Sequence, residues 1–196
     1  MKKNYKSTVN ACFAGYVVQA IVNNFVPLLF LTFNKSYGIE LSKITALITV
    51  NFILQLIIDL LSAFFIDKIG YRAAAVAAHV FAAAGLVSLT VLPDVLPSPF
   101  VGLLISVVLY AVGGGLLEVI VSPIVEACPT DNKEKMMSLL HSFYCWGSVA
   151  VVGISTLYFS IFTTANWKYL ALIWAVVPIV NALNFIRVPI APLIEE

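Results

Sequence analysis

Two carboxylates, Asp59 and Glu118, stand well inside long apolar stretches of this 196-residue chain. A charge at bilayer depth costs about 2.5–3.5 kcal/mol on insertion scales, and acids found there mark proton relays and solute pathways. No Lys or Arg lies well inside the same stretches to neutralise them. A carboxyl that holds or releases a proton at membrane depth is what proton-coupled transport requires. Glu118 and Asp59 are therefore the candidate proton-coupling residues. Asp59 has a competing reading as a packing residue, because it continues a stripe of amides.

That stripe is Asn51, Gln55 and Asp59, spaced four apart and so on one helix face. Gln19 and Asn23 repeat the spacing, with Asn24 beside them. Glu118, Ser122 and Glu126 repeat it again, behind Gly113-Gly114-Gly115. Counted along each stretch, Asn23 and Gln55 fall near mid-membrane, with Gln19, Asp59 and Glu118 displaced toward one side. Gln19, Asn23, Asn51 and Gln55 are candidate solute-binding residues. The alternative is interhelical hydrogen bonding, which averages about 0.6 kcal/mol per bond.

His141 joins the candidate solute-binding residues, with a packing histidine as the competing reading. Cys145 lies four residues on, but two ligands without a third make no metal site. No metal or other cofactor is expected. His79, among alanines, reads as structural. Tyr144 and Trp146 carry ring faces suited to a sugar, and Trp167 and Tyr169 suit a membrane interface.

The elements that must position these residues follow from composition. Hydrophobic residues make up 61% of the chain and charged residues 11%, whereas a soluble domain carries about 25% charged residues. The net charge of +1 argues against a nucleic-acid partner. Cys12, Cys128 and Cys145 are too scattered for a disulfide framework or a zinc site. A span needs about 20 mostly apolar residues. Six stretches qualify: 11–33, 43–66, 73–92, 100–125, 137–162 and 168–188. Met1-Lys2-Lys3 resembles a signal-peptide start, but the apolar run behind it is too long and lacks a small-residue cleavage site. The expected fold is all-α, a single polytopic bundle of six transmembrane helices over residues 1–196, in contact with the lipid bilayer.

Lys and Arg distribution sets the orientation. Lys2, Lys3, Lys6, Lys68, Arg72, Lys133, Lys135 and Arg187 fall on one side, against Lys35, Lys43 and Lys168 on the other. The expectation is a multi-pass protein of the cell membrane with both termini cytoplasmic. Helices one to three and four to six form two three-helix units of opposite orientation, a 3+3 inverted repeat of the kind that builds secondary transporters. Pro27 and Pro123 give a weak echo of that repeat. An intramembrane serine protease is not supported: Gly147-Ser148-Val149-Ala150 lacks the Gly-x-Ser-Gly turn, and no enzyme is expected.

The loop Ala63-Phe64-Phe65-Ile66-Asp67-Lys68-Ile69-Gly70-Tyr71-Arg72 resembles the loop between helices two and three of the major facilitator superfamily, Gly-x-x-x-Asp-Arg/Lys-x-Gly followed by basic residues. Asp67, Lys68, Gly70 and Arg72 match, while Ala63 replaces the first glycine and Tyr71 a basic residue. The resemblance implies that Asp67 engages a second half of the transporter. It also implies that Arg72 pairs with Glu126 at the end of helix four. From Gly113 to Glu118 and from Leu140 to Gly147 the chain looks like the fucose-permease-type sugar:proton symporters. In that group a helix-four acid, here Glu118, serves proton coupling and substrate binding. Helix one has no counterpart of the group's acid, and Ser122 stands where an Asn is expected.

Such transporters have twelve helices in two halves, so the resemblance covers an N-terminal half. The expected function is half of a proton-coupled secondary transporter moving a small polar solute, a sugar by resemblance, by alternating access. Its partner is a second six-helix half or a second copy. The alternatives are an efflux pump of the same superfamily and a truncated, non-transporting membrane protein.

Overall fold

The structure, a computed structural model, describes residues 5–192. Lys2, Lys3 and the tail Leu193–Glu196 lie outside them. Six apolar helical stretches are long enough to cross a membrane, and the described chain is helical with short connections. Each expected stretch sits within one of them, apart from Val188, which caps the last. The first span runs from Lys6 to Tyr37. The others are the helices Leu41–Ile69, Tyr71–Val95, Pro99–Ala127, Lys133–Phe162 and Trp167–Arg187. Six crossings bring both described ends to one end of the bundle.

The first span is not one continuous helix, as its apolar run suggested. An α-helix over Lys6–Asn24 gives way to a tight 3-10 turn, Val26–Leu29, before helix resumes at Phe30–Tyr37. Pro27 explains the break: it has no N–H to offer the carbonyl four residues back and its ring crowds that carbonyl. The carbonyl belongs to Asn23, so the irregular turn begins beside a polar residue. Gly38, at φ 64°, and Gly70, at φ 83°, supply the left-handed backbone that ends the first and second spans. Asn132 caps the fifth span, its Oδ1 accepting from the Lys135 N–H at 2.8 Å.

Packing follows the inverted repeat. The first and fourth spans meet at the centre, the second packs on the fourth and the fifth on the first. The third packs on the fourth, the sixth on the first, and the third and sixth on each other. Exchanging the two three-helix units maps this set of contacts onto itself. Burial divides the spans: within the most apolar windows, 61% of the residues of the first and fourth are buried, against 22% of the second and 17% of the fifth. The second and fifth are therefore the peripheral elements, held to the core along one face only.

Small residues make the closest seam. A Cβ on Gly113 would lie 2.5 Å from the Ala78 oxygen and 2.7 Å from the Ala82 nitrogen, and one on Gly85 would lie 2.5 Å from the Tyr110 nitrogen. In lipid, such backbone proximity is what replaces the hydrophobic drive to associate. Alongside it, the buried His79 donates from Nδ1 to the Ala75 oxygen at 2.7 Å and accepts at Nε2 from the Asn181 amide at 2.8 Å, and that amide also donates to the Ala11 oxygen at 2.9 Å. One imidazole thus links the third, sixth and first spans. Its role is structural. At the opposite end Asp94 accepts from Tyr37 at 2.8 Å and pairs with Lys168, joining the same three spans.

The seam makes a test of the packing. Gly113→Val should lower the thermal midpoint of the purified protein by an amount matching about 1–3 kcal/mol or more of overpacking, because backbone atoms cannot retreat. Gly153→Val, where nothing lies within 4 Å, should leave it unchanged. Equal midpoints for both would contradict this account of the third and fourth spans.

Candidate functional site

The amide stripes converge on Asn23. Its Oδ1 accepts from Gln55 Nε2 at 2.7 Å and from Asn51 Nδ2 at 3.2 Å, and Gln55 Nε2 also reaches Asn51 Oδ1 at 3.0 Å. Its Nδ2 donates to the Tyr144 hydroxyl at 3.3 Å. Asn51 and Gln55 are 3% and 5% exposed, so these two serve mainly to bond the second span to the first. Next to them, Asn24 donates to Ser148 Oγ at 3.1 Å and to its own helix at the Ala20 oxygen at 2.8 Å. The fifth span is attached by Tyr144 and Ser148. Of the two readings of the amides, bonding between helices is the one their geometry displays.

The acids are placed differently. Glu118 accepts from Gln19 Nε2 at 3.0 Å through Oε2, and Asp59 takes no side-chain hydrogen bond among the described residues. Both are exposed and border a cleft of about 520 Å³. The first span contributes Tyr16, Gln19 and Asn23 to its lining, the second Phe52, Gln55, Leu56 and Asp59. The fourth contributes Glu118 and the fifth His141, Tyr144 and Cys145. The structure thus gathers Gln19, Asn23, Gln55, Asp59, Glu118 and His141 around one space, with Asn51 just behind it. Among the charged side chains lining this space there is no Lys or Arg.

Tyr16 is a lining residue that the polar stripes alone overlook. Its hydroxyl lies 3.0 Å from Ser122 Oγ, and its ring stands 5.6 Å from His141 and 6.3 Å from Tyr144. The signal was present as the spacing of three and four in Tyr16, Gln19 and Asn23. Trp146, by contrast, is 59% exposed on the outer face and packs on Phe143. It does not line the cleft.

The loop motif also departs from expectation at one contact. Gly70 turns the chain between the second and third spans, and Asp67 and Lys68 are exposed there. Arg72 does not pair with Glu126. Its guanidinium donates to the Phe185 and Ile186 oxygens at 2.7 and 2.9 Å, satisfying carbonyls that the end of the sixth span leaves open. Glu126 is exposed on its own helix.

Six membrane-length helices in a self-mapping 3+3 arrangement, with a polar cleft on one side, agree with the family comparison. The Major Facilitator Superfamily model matches residues 11–193. The chain belongs to the major facilitator superfamily. Its membership makes it a multi-pass membrane protein of a transporter family. Among solved structures the chain is similar to the inward-open xylose transporter XylE from E. coli, at 15% identity and a TM-score of 0.84, covering 96% of this chain and 49% of that one. A D-xylose-proton symporter matches at 15% identity and a TM-score of 0.79, over 95% of this chain and 48% of that one. A POT family transporter in complex with a thioalcohol-conjugated peptide matches at 21% identity and a TM-score of 0.67, over 95% and 39%. At these identities the likeness is one of fold. The chain spans about half the length of the xylose transporters it matches. No curated protein matches the sequence.

This major facilitator chain carries its own reporter for the cleft. Cys145 is exposed and lines it, whereas Cys12 and Cys128 are each 0% exposed. A polar maleimide should modify the folded protein once, at Cys145, and reach the other two only after unfolding. Peptide mapping that finds Cys12 labelled first would contradict the cleft.

Proposed function

We infer that this chain forms one half of a secondary transporter that moves a small polar solute across the cell membrane, driven by protons. Glu118 and Asp59 carry the proton. Gln19, Asn23 and His141 face the solute, with Gln55 at the edge of the cleft and Asn51 behind it holding Asn23 in place. The observation that carries this reading is the placement of both acids at one polar cleft between membrane spans, Glu118 held by Gln19 at 3.0 Å. An acid kept at that depth without a basic partner is suited to exchange protons rather than to hold helices together. The proton named for the solved xylose symporter agrees with this chemistry.

Alternating access needs a second wall. In this reading a further six-helix body, whether a second half or a second copy, faces the first across the cleft and the two rock about the site. The loop bearing Asp67, Lys68, Gly70 and Arg72 lies on the cytoplasmic side, as do both termini, in keeping with the excess of Lys and Arg there. Asp67 is exposed and available to that second body, and Arg72 holds the exit of the sixth span against the loop.

Reconstitution tests the reading. Crosslinking in membranes should first trap an assembly containing two six-helix bodies. In vesicles holding that assembly, an imposed pH gradient should drive solute accumulation. Glu118→Gln should reduce accumulation to background while preserving the assembly, because the amide keeps the bond to Gln19 but carries no proton. Wild-type levels of gradient-driven accumulation in Glu118→Gln would refute the assignment.

A further inference from the structure

The charged groups of the cleft are of one sign. One N–H of each amide is turned on a neighbour: Gln19 on Glu118, Asn23 on Tyr144, and Asn51 and Gln55 on Asn23. The two carboxylates keep acceptor oxygens toward the open space. The Asp59 carboxylate is unbonded among the described residues, and Glu118 is engaged through only one oxygen. No Lys or Arg lines the cleft, and His141 is the one lining group able to carry positive charge. Tyr16 and Tyr144 add ring faces, whose quadrupoles attract cations at separations within about 6 Å.

We propose that the solute taken by this cleft is an organic cation, a small polar molecule bearing a protonated amine that sits between the Asp59 and Glu118 carboxylates. The proposal rests on the reading of the cleft as the solute site and names the solute's class. An anion would meet two carboxylates with no fixed cation to offset them. A neutral polyol offers donors and acceptors in equal measure and leaves the carboxylates without a counter-charge. An ammonium brings a positive charge, three donors and no acceptor, which is the complement of two carboxylates. Charge-assisted bonds of this kind are about twice as strong as neutral ones. Two carboxylates also allow both tasks at once: with one proton bound, one negative charge remains for the amine.

Three probes of one ring differing only in charge isolate this property: glucosamine, glucose and glucuronate. Binding of each to the full chain in lipid nanodiscs is measured by equilibrium dialysis at a pH that keeps the amine protonated. Glucosamine should bind at least about tenfold more tightly than glucose, a difference of about 1.4 kcal/mol, and glucuronate most weakly. The double variant Asp59→Asn, Glu118→Gln should bring the glucosamine-to-glucose ratio to about one, while Asp59→Glu should retain the preference. A ratio measured within one preparation does not depend on how much of it is folded.

Glucose binding as tightly as glucosamine would overturn the proposal. So would a preference that survives in the double variant, or no binding of any of the three. Charge preference without gradient-driven flux would keep the cation site and remove proton-coupled transport. Gradient-driven uptake of glucose without charge preference would do the reverse.

Discussion

The side chain of Asn23 is the constraint on which the cleft depends. In lipid a polar group without a partner costs several kcal/mol, and only protein can supply one. Asn23 meets this by accepting from the second span and donating to the fifth, so one amide ties down the two helices that bury least. Its position beside the Pro27 break matters as well. The helix loses a backbone bond at the same level, and the side-chain bonds give the first span alternative attachments where its own ladder is interrupted. The amides of the layer thus bond chiefly to one another and to Tyr144. Among the described residues Asp59 takes no side-chain bond from that layer, and Glu118 takes one, through a single oxygen.

Around this layer the closest contact lies at one seam. The third and fourth spans approach through Gly85, Gly113 and the alanines, with backbone close enough that a single methyl would not fit. His79 and Asn181 cross-brace the same region with bonds that no water competes for. The second and fifth spans also approach at glycines, where a Cβ on Gly115 would lie 2.9 Å from Ile58 and one on Gly147 3.1 Å from Ala20. They add polar bonds at the cleft and expose apolar faces such as Leu60, Phe64 and Val149. The second and fifth spans are thus the less buried helices that border the cleft. Asp59 lies on one of these peripheral helices and Glu118 on an inner one.

Much of this was legible in the sequence, and the reasons differ by feature. Apolar length and helical rise dictate the six spans, and four-residue spacing dictates that Asn51, Gln55 and Asp59 share a face. Those are local rules, and the structure obeys them. What the spacing could not reveal is which face meets which. Gln19 and Gln55 were equivalent candidates in the sequence, yet Gln19 bonds the acid while Gln55 bonds another amide. Tyr16 escaped notice because an aromatic on an apolar helix is ordinarily a packing residue, and only its neighbours show otherwise. Trp146 erred in the other direction: one residue from Cys145 on a helix is a 100° rotation, enough to carry it from the cleft to the outer face. Arg72 found helix-end carbonyls in place of Glu126 because open carbonyls at the end of a buried helix exert a demand that a sequence motif does not display.

A cleft with a single wall reads some properties of a solute and not others. Shape is recognised by contact, and a bound small molecule normally buries 70–90% or so of its surface, which one six-helix body with an open side does not provide. Charge needs no such enclosure. Coulomb attraction falls only inversely with distance, so in the proposed transporter two carboxylates on one wall bias which solutes arrive before a second wall meets them. Under the function proposed above, specificity is layered: the acids of this body select by charge, and a facing body completes the fit and excludes water, which strengthens the same electrostatic contacts by lowering the local dielectric. In that proposal the proton and the solute respond to the same two side chains. A change at either carboxylate alters coupling and selectivity together, whereas a change in the amide layer alters the position of the acids without altering their charge.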